Sequence, residues 1–255
     1  MSTGNFQDKT AIITGAAIGI GFEIARQLAA AGAQVFLNDI NPGAAAQAAE
    51  QIRKESGRCT AVPGDSSDSQ FIKAMVAAAV SQTGRLDIAI ANAGITLFGD
   101  FLSYPEDSFN RVLKVNLNGS FFLAQAAANQ MKKQATGGSI LFMSSVTGHQ
   151  AHKDLAAYGM TKAALEMLAK NLVIELSPYK INVNAIAPGA TLTERTLHDK
   201  NYEAVWSRIT PMGRPATTSD IAATALFLVA DQARHITGQS LVIDGGWTSV
   251  SPSPY

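Results

Sequence analysis

The sequence predicts a doubly wound α/β fold, in which one seven-stranded parallel sheet carries helices on both faces. Short apolar runs alternate with stretches of helical periodicity from one end of the chain to the other. Apolar strands joined by helical connections are typical of parallel sheets, whose two faces are both buried. No internal repeat, low-complexity linker or change of composition divides the chain. We therefore expect a single domain over residues 1–255.

The first strand–helix–strand unit has the dimensions of a parallel crossover. Residues 10–14 form an apolar run, residues 19–31 carry apolar side chains at helical spacing, and Gly32 marks the helix end. A second apolar run at 34–37 closes on Asp39, so the unit spans about 30 residues. The alternation then repeats, with predicted strands at 59–62, 86–91, 139–143, 181–186 and 240–243 and predicted helices at 43–56, 67–83, 106–133, 158–177 and 218–231.

Two segments depart from this alternation. Residues 189–217 are polar and contain Pro211 and Pro215. Because a long irregular stretch inside a compact α/β domain is often functional, we predict a substrate lid there. Residues 249–255 contain two prolines and are predicted to be a flexible tail.

Composition and charge argue against several classes of function. Twenty Lys and Arg residues balance 20 Asp and Glu residues, so the chain lacks the basic footprint of a nucleic-acid-binding protein. No apolar run approaches the roughly 18 residues of a membrane span, and no signal peptide is recognisable. Cys59 is the only cysteine, so no intramolecular disulfide can form. These features indicate a cytoplasmic protein that binds neither nucleic acid nor membrane.

A glycine-rich turn joins the first strand to the first helix. It reads TGAAIGIG over residues 14–21. Glycines at this place allow a tight turn and close approach to the backbone, and the helix N-terminus favours the charge of a pyrophosphate. The turn therefore predicts a dinucleotide site, with cofactor contacts from Gly15, Ile18, Gly19, Ile20 and Gly21.

Asp39 closes the second strand, about 20 residues beyond the glycines. A carboxylate at this point can accept hydrogen bonds from both hydroxyls of the adenosine ribose, and it would repel the 2′-phosphate of NADP. No Lys or Arg stands beside Asp39 or in the glycine turn. The sequence therefore favours NAD over NADP as the cofactor.

A second set of polar residues follows the strand at 139–143. That strand delivers Ser144 and Ser145 at its carboxyl end, the edge where open α/β sheets bind ligands. Tyr158 comes thirteen residues after Ser145, and Lys162 lies four residues later, on the same helix face. A nearby cation favours the phenolate form of a tyrosine. Both serines are therefore candidates for the site, and their distances in sequence from Tyr158 differ by one residue.

In these motifs and their order, the chain resembles the short-chain dehydrogenase/reductase family in its compact, Rossmann-like form. The resemblance extends from Thr14 to Gly246. Ala91 departs from it, since many members carry a second Asn there. The matching positions are residues 14–21, Asp65, Asn92-Ala93-Gly94, Asn116, Ser145, Tyr158, Lys162, Pro188-Gly189 and Asp244-Gly245-Gly246.

The resemblance implies a role for each matching residue. Tyr158 would be the general acid/base and also a cofactor contact, and Ser145 would hydrogen-bond the reacting oxygen, with Ser144 as its structural neighbour. Lys162 would bind the nicotinamide ribose, and Asn116 would hold a water that relays protons to solvent. No cluster of metal ligands is recognisable, so we predict no metal. The remaining cofactor contacts would be Asp65 and Ser66 at the adenine, Asn92, Ala93 and Gly94 along the groove, and Pro188, Gly189, Thr191 and Thr193 at the nicotinamide end.

The sequence constrains the substrate less. Ser145 and Tyr158 are predicted to contact it, together with His149 and Gln150 from the segment between them. If His149 and Gln150 point inward they would suit a sugar, polyol or small hydroxy acid, and the reading as exposed loop residues stays open. The opposite wall would suit a steroid-like or acyl substrate equally well, with candidates Thr96, Phe98, Leu192, Leu197, Tyr202, Trp206 and Met212.

We therefore expect an NAD-dependent oxidoreductase that interconverts a secondary alcohol and a ketone. An NADPH-dependent 3-oxoacyl thioester reductase is the alternative within the same class. A non-catalytic NADH-binding regulator is the alternative outside it, although such a protein is expected to lack Tyr158 or Lys162. The resemblance also implies a homotetramer, assembled through helices 106–133 and 158–177 and through helix 218–231 with the last strand.

Overall fold

The computed structural model describes residues 5–251, and these residues form the predicted seven-stranded parallel sheet. The strand order is β3-β2-β1-β4-β5-β6-β7, so the order reverses between β1 and β4. The cleft at the carboxyl ends of these two strands is the switch point where such sheets bind ligands. The strands are β1 (Thr10–Ile13), β2 (Gln34–Asp39), β3 (Arg58–Pro63), β4 (Ile88–Ala91), β5 (Gly138–Met143), β6 (Ile181–Pro188) and β7 (Ser240–Ile243).

Helices cover both faces of the sheet, which confirms the doubly wound prediction. One apolar core lies under α1, α2 and α8, and the other lies under α3, α5 and α6. Ile24, Ala45 and Ile221 belong to the first core, whereas Ile72 and Leu123 belong to the second. The helices are α1 (Gly19–Ala30), α2 (Pro42–Lys54), α3 (Ser69–Thr83), α4 (Glu106–Leu113), α5 (Gly119–Met131), α6 (Ala156–Leu176), α7 (Tyr202–Ile209) and α8 (Thr218–Val229).

Two predicted elements differ from the structure for identifiable reasons. The strand predicted at 86–91 begins only at Ile88, because the backbone N–H and C=O of Leu86 both bond to the side-chain amide of Gln134, each at 2.9 Å. The helix predicted over 106–133 is interrupted by a π-helical turn, Lys114–Asn118, which separates α4 from α5. Such turns occur frequently at functional sites.

The segment predicted as a lid contains the helix α7, which the sequence analysis did not predict. Its base is closed by backbone pairing, since Leu192 N–H donates to the carbonyl of Ala216 and Ala216 N–H donates to the carbonyl of Ala190, both at 2.8 Å. The predicted tail, residues 249–255, begins at Ser249, which ends the short helix Trp247–Ser249. Residues 252–255 lie outside the described part of the chain.

The remaining bulk properties concern membranes, metals and the cysteine. Within residues 5–251, we find no helix with the length and apolar character needed to cross a bilayer. In the same range, no three His, Cys, Asp or Glu side chains come together as metal ligands, and the absence of a metal remains a prediction. Burial raises the pKa of the Cys59 thiol to about 12, so this side chain stays protonated as an apolar core residue.

Candidate active site

The glycine turn lies at the switch point, between β1 and α1. Gly15 and Gly19 have φ values of +60° and +63°, a left-handed conformation that glycine adopts without steric cost. Ile18 is the N-cap of α1, and among the described residues no side chain caps this helix end. The first N–H groups of α1 are therefore available to an anionic ligand, and the turn fits a pyrophosphate.

Asn92 holds this turn from the end of β4. Its Nδ2 donates to the carbonyls of Thr14 and Gly15, at 2.9 and 2.7 Å. The backbone N–H groups of Asn92 and Ala93 both donate to Thr14 Oγ1 at 3.2 Å. A Cβ atom placed on Gly21 would lie 2.4 Å from Asn92 Nδ2, so only glycine fits there. The turn and the end of β4 thus form one interlocked unit.

Two carboxylates mark the far end of the cleft, at the ends of β2 and β3. Asp39 Oδ2 accepts the backbone N–H of Ala17 in the glycine turn at 3.2 Å. Asp65 Oδ1 accepts the N–H and the hydroxyl of Ser67, at 2.8 and 2.7 Å. Burial alone would raise the pKa of Asp65, but the hydrogen bonds from Ser67 outweigh it and lower that pKa. Ser66, between Asp65 and Ser67 in sequence, is half-buried. This end of the cleft fits the adenosine half of a dinucleotide.

The serine, tyrosine and lysine converge at the carboxyl end of β5. Ser145 follows the strand and begins the short helix Val146–Gly148, while Tyr158 and Lys162 occupy the first turns of α6. Lys162 Nζ donates to the carbonyl of Met143 at 2.7 Å and lies 5.3 Å from the centre of the Tyr158 ring. The structure therefore brings the predicted phenol and ammonium together.

Lys162 is buried in a way that requires further hydrogen-bond acceptors. Its residue is only 3% exposed, and within the described residues its ammonium has one acceptor, the carbonyl of Met143. An ammonium has three N–H donors, and burial of unsatisfied donors is costly. A Cβ atom placed on Gly94 would lie 3.4 Å from Lys162 Nζ, so glycine leaves open space beside the ammonium. Ribose hydroxyls fit the unsatisfied donors.

Asn116 borders the same open space from the π-helical turn. Its side chain is fully buried, and its Nδ2 donates to the carbonyl of Ile95 and to Thr161 Oγ1, both at 3.1 Å. Its Oδ1 accepts the N–H of Ile95 at 2.9 Å and lies 3.5 Å from a Cβ atom placed on Gly94. Asn116 Oδ1 and Lys162 Nζ therefore both border the space beside Gly94.

The beginning of the predicted lid, residues 189–217, forms the remaining side of the cleft. Pro188 ends β6, and Thr191 Oγ1 donates to the carbonyl of Gly189 at 3.0 Å. A Cβ atom placed on Gly19 would lie 3.6 Å from Thr193 Cγ2, so the lid contacts the glycine turn. These residues could hold one end of a dinucleotide bound at the turn.

Four aromatic rings connect the lid to the segment before Tyr158. The ring centres of Tyr202 and Trp206 in α7 are 6.0 Å apart, Trp206 and Trp247 are 5.3 Å apart, and Trp247 and His152 are 5.2 Å apart. Burial raises the pKa of the Tyr202 hydroxyl. The sequence predicts Tyr202 and Trp206 as wall residues but gives no signal for His152 or Trp247, because the contact joins positions far apart in the chain.

The other predicted substrate residues differ in their surroundings. His149 is exposed, and its side chain contacts α6, where its Nε2 lies 2.9 Å from Glu166 Oε1. Gln150 is exposed. Ser144 Oγ lies 2.6 Å from Glu166 Oε1 and 3.0 Å from the carbonyl of Lys162, contacts that suit a structural neighbour of the site. Sequence analysis did not identify Glu166, which carries no motif of its own.

A dinucleotide cleft beside a tyrosine–lysine pair defines the class of an NAD(P)-dependent oxidoreductase. Comparison with known proteins gives the family. A family model described as "Enoyl-(Acyl carrier protein) reductase" matches residues 15–248. The chain also superposes on the crystal structure of a short-chain type dehydrogenase/reductase from Mycobacterium marinum with a TM-score of 0.91 and 33% identity, over 96% of this chain and 97% of that one. The chain belongs to the short-chain dehydrogenase/reductase family.

Several curated relatives cover almost the whole chain. The L-rhamnose 1-dehydrogenase (NAD(P)(+)) of Azotobacter vinelandii is 38% identical, over 94% of this chain and 96% of its own. The sorbose reductase of Schizosaccharomyces pombe is 36% identical, over 96% and 98%. A 3-oxoacyl-[acyl-carrier-protein] reductase of Staphylococcus aureus is 37% identical, over 93% and 97%. These relatives support an enzyme that interconverts an alcohol and a carbonyl group with a nicotinamide cofactor.

Proposed function

We propose that the protein is an NAD-dependent dehydrogenase that oxidises a secondary hydroxyl group of a sugar or polyol and can run in reverse. The observation that carries this proposal is the buried Lys162 ammonium, held on the carbonyl of Met143 and 5.3 Å from the Tyr158 ring. Two of the relatives described above act on sugars by name, which supports the substrate class.

The catalytic residues divide the chemistry between them. The Tyr158 phenolate takes the proton of the substrate hydroxyl as the C–H bond breaks, and the phenol returns that proton in the reverse direction. Ser145 donates a hydrogen bond to the same oxygen and stabilises its partial charge. Lys162 holds the ribose hydroxyls and places its positive charge beside Tyr158, 5.3 Å from the ring centre. NAD, when bound, supplies the hydride acceptor.

The space beside Gly94 provides a path for the released proton. Asn116 Oδ1 and Lys162 Nζ lie at similar distances from it, 3.5 and 3.4 Å from a Cβ atom placed there. A water in that space would receive a hydrogen bond from the ammonium and donate one to the amide oxygen. We assign Asn116 to hold this water.

We also assign residues 189–217 as a lid that closes over the substrate.

Asp39 is the proposed basis of the preference for NAD. Its Oδ2 already accepts the N–H of Ala17, so the carboxylate is fixed against the glycine turn, where the adenosine ribose would lie. The pyrophosphate would be held by Gly15, Ile18, Gly19, Ile20 and Gly21. The remaining proposed contacts are Asp65 and Ser66 at the adenine, Asn92, Ala93 and Gly94 along the groove, and Pro188, Gly189, Thr191 and Thr193 at the nicotinamide.

Replacing Asp39 with Ala should relax the discrimination against NADP. The change removes charge repulsion toward the 2′-phosphate and the hydrogen bonds to the ribose hydroxyls. Because hydrogen bonds to a charged group contribute about 1.5–3 kcal/mol, the NAD-to-NADP ratio of kcat/KM should fall about 10- to 100-fold. Glu55→Ala, an exposed acid after the opposite end of α2, serves as the matched control. An unchanged ratio in Asp39→Ala would remove the ribose contact from the proposal.

The substrate is tested by initial rates with NAD⁺ and NADP⁺ against sugars, polyols, hydroxy acids and simple secondary alcohols, beginning with L-rhamnose. The expected result is turnover of a sugar or polyol with NAD⁺. Turnover confined to apolar alcohols would overturn the substrate class, because the aromatic wall from Tyr202 to His152 would then serve an apolar ligand.

A second candidate function is reduction of 3-oxoacyl thioesters. The relative from Staphylococcus aureus favours it, and so do the exposed apolar side chains of Leu197 and Met212 on the lid. Asp39 argues against it, because the alternative requires NADPH. An acetoacetyl thioester with NADPH belongs in the same panel, and preferred turnover of that pair would replace the sugar proposal.

We further propose that the protein is a cytoplasmic homotetramer. An apolar stripe on α6 is exposed to solvent. It consists of Met160, Met167 and Ile174, which are spaced seven residues apart and are 48, 54 and 84% exposed. Phe227 of α8 and Leu241 of β7 expose a second apolar area. Sedimentation equilibrium should give four times the 26.8 kDa of one chain. A monomeric mass would contradict the proposed assembly.

A further inference from the structure

We propose that Glu166 is a positioning residue that holds the loop carrying Ser145, so that the Ser145 hydroxyl faces the reacting oxygen. Glu166 lies in α6, one turn beyond Lys162, and its side chain contacts Ser144 and His149. The inference rests on the proposed function, because it assumes that Ser145 takes part in the chemistry.

The Glu166 carboxylate anchors the loop on both sides of Ser145. Its Oε1 accepts the hydroxyl proton of Ser144 at 2.6 Å, the distance of a charge-assisted O–H···O⁻ hydrogen bond. The same oxygen lies 2.9 Å from His149 Nε2. The Glu166 side chain is 12% exposed, so these contacts are only weakly screened by water. Ser145 therefore stands between two residues bound to one carboxylate.

The loop backbone lies directly on α6 between these anchors. A Cβ atom placed on Gly148 would be 3.0 Å from the backbone nitrogen of Ala163, 3.1 Å from the carbonyl carbon of Lys162 and 3.2 Å from Glu166 Oε1. No side chain fits between loop and helix at this point. The carboxylate thus sets how the loop sits on the helix that carries Tyr158 and Lys162.

The Ser145 hydroxyl depends on this loop for its direction. Among the described residues, Ser145 Oγ has one hydrogen-bond partner, the N–H of Thr147, from which it accepts at 3.3 Å. That partner belongs to the same loop, and the hydroxyl proton remains free to be donated. A shift of the loop would therefore carry the Ser145 donor away from the substrate oxygen while Tyr158 and Lys162 stay in place on α6.

A double-mutant cycle separates positioning from general stabilisation, because residues acting through one another are not additive. The probes are NAD⁺ and L-rhamnose, or the best substrate of the panel. Glu166→Ala should lower kcat about tenfold and leave the Kd for NADH unchanged. In a Ser145→Ala background, Glu166→Ala should change kcat less than twofold. Glu166→Gln keeps an acceptor for Ser144 and should retain kcat within about threefold of wild type. Glu175→Ala, exposed on the same helix, is the control.

Three outcomes would overturn the inference. A tenfold loss that persists in the Ser145→Ala background would show that Glu166 acts by another route, and an unchanged kcat in Glu166→Ala would show that it does not act. If Ser145→Ala alone has wild-type turnover, Ser145 does not take part in the chemistry. That single variant therefore distinguishes a failure of the proposed function from a failure of the inference about Glu166. If Glu166→Ala does not fold, Ser144→Ala replaces it in the cycle. Ser144→Ala should then lower kcat in the wild-type background but not in the Ser145→Ala background.

Discussion

Phenylalanine in place of Tyr158 is expected to lower turnover by about two to four orders of magnitude while NADH affinity stays nearly unchanged. The substitution removes only the hydroxyl that exchanges the proton. The ring remains, and Lys162 Nζ keeps its hydrogen bond to the carbonyl of Met143. Because cofactor contacts and proton transfer depend on different atoms, kcat should fall far more than binding.

Single-turnover rates with NAD⁺, beside an NADH titration by fluorescence, separate these two quantities. Tyr179→Phe is the matched control, since that ring lies beyond the far end of α6 against Lys132, 4.5 Å from its Nζ. Near-wild-type turnover in Tyr158→Phe would remove the proposed mechanism. Loss of NADH binding in the same variant would assign Tyr158 to the cofactor site instead.

The sequence was sufficient to predict which motifs come together, because parallel strands present their carboxyl ends at one edge of a sheet. The glycine turn follows β1, Asn92 follows β4, and Ser145 follows β5, so strand assignment alone gathers them. Helical spacing then predicts that Tyr158 and Lys162 share a face, and the distance of 5.3 Å agrees. This part of the site is therefore predictable from helical spacing and from the shared edge at which parallel strands end.

Features that depend on long-range contacts were not predictable in the same way. The π-helical turn at Asn116 continues an unbroken helical pattern in sequence, and the buried hydrogen bonds of Asn116 to Ile95 and Thr161 join residues far apart in the chain. The sequence predicts His149 only as a substrate contact or an exposed loop residue. Its contact with Glu166 depends on how a loop folds back onto α6, which no local spacing encodes.

Alanine in place of Gly21 is the other change with a large expected effect, and it acts on the cofactor. The added Cβ atom would lie 2.4 Å from Asn92 Nδ2 and 2.7 Å from the carbonyl of Gly15, so both must move relative to Gly21. If Asn92 moves, the carbonyls of Thr14 and Gly15 lose their donor. At about 1–3 kcal/mol for each unsatisfied buried group, the two carbonyls cost about 2–6 kcal/mol, and NADH binding must restore the displaced turn against part of this cost. The Kd for NADH should then rise about 100-fold.

Gly43→Ala provides the matched control, because the same methyl group at the start of α2 would meet only Asn41 Oδ1, at 3.5 Å. Both variants should be titrated with NADH at a temperature where circular dichroism shows them folded. A folded Gly21→Ala that binds NADH with wild-type affinity would mean that the cofactor does not need the interlocked turn. An affinity lost in Gly21→Ala and kept in Gly43→Ala would locate the pyrophosphate at this turn, since the two changes add the same atoms and differ only in the space that receives them.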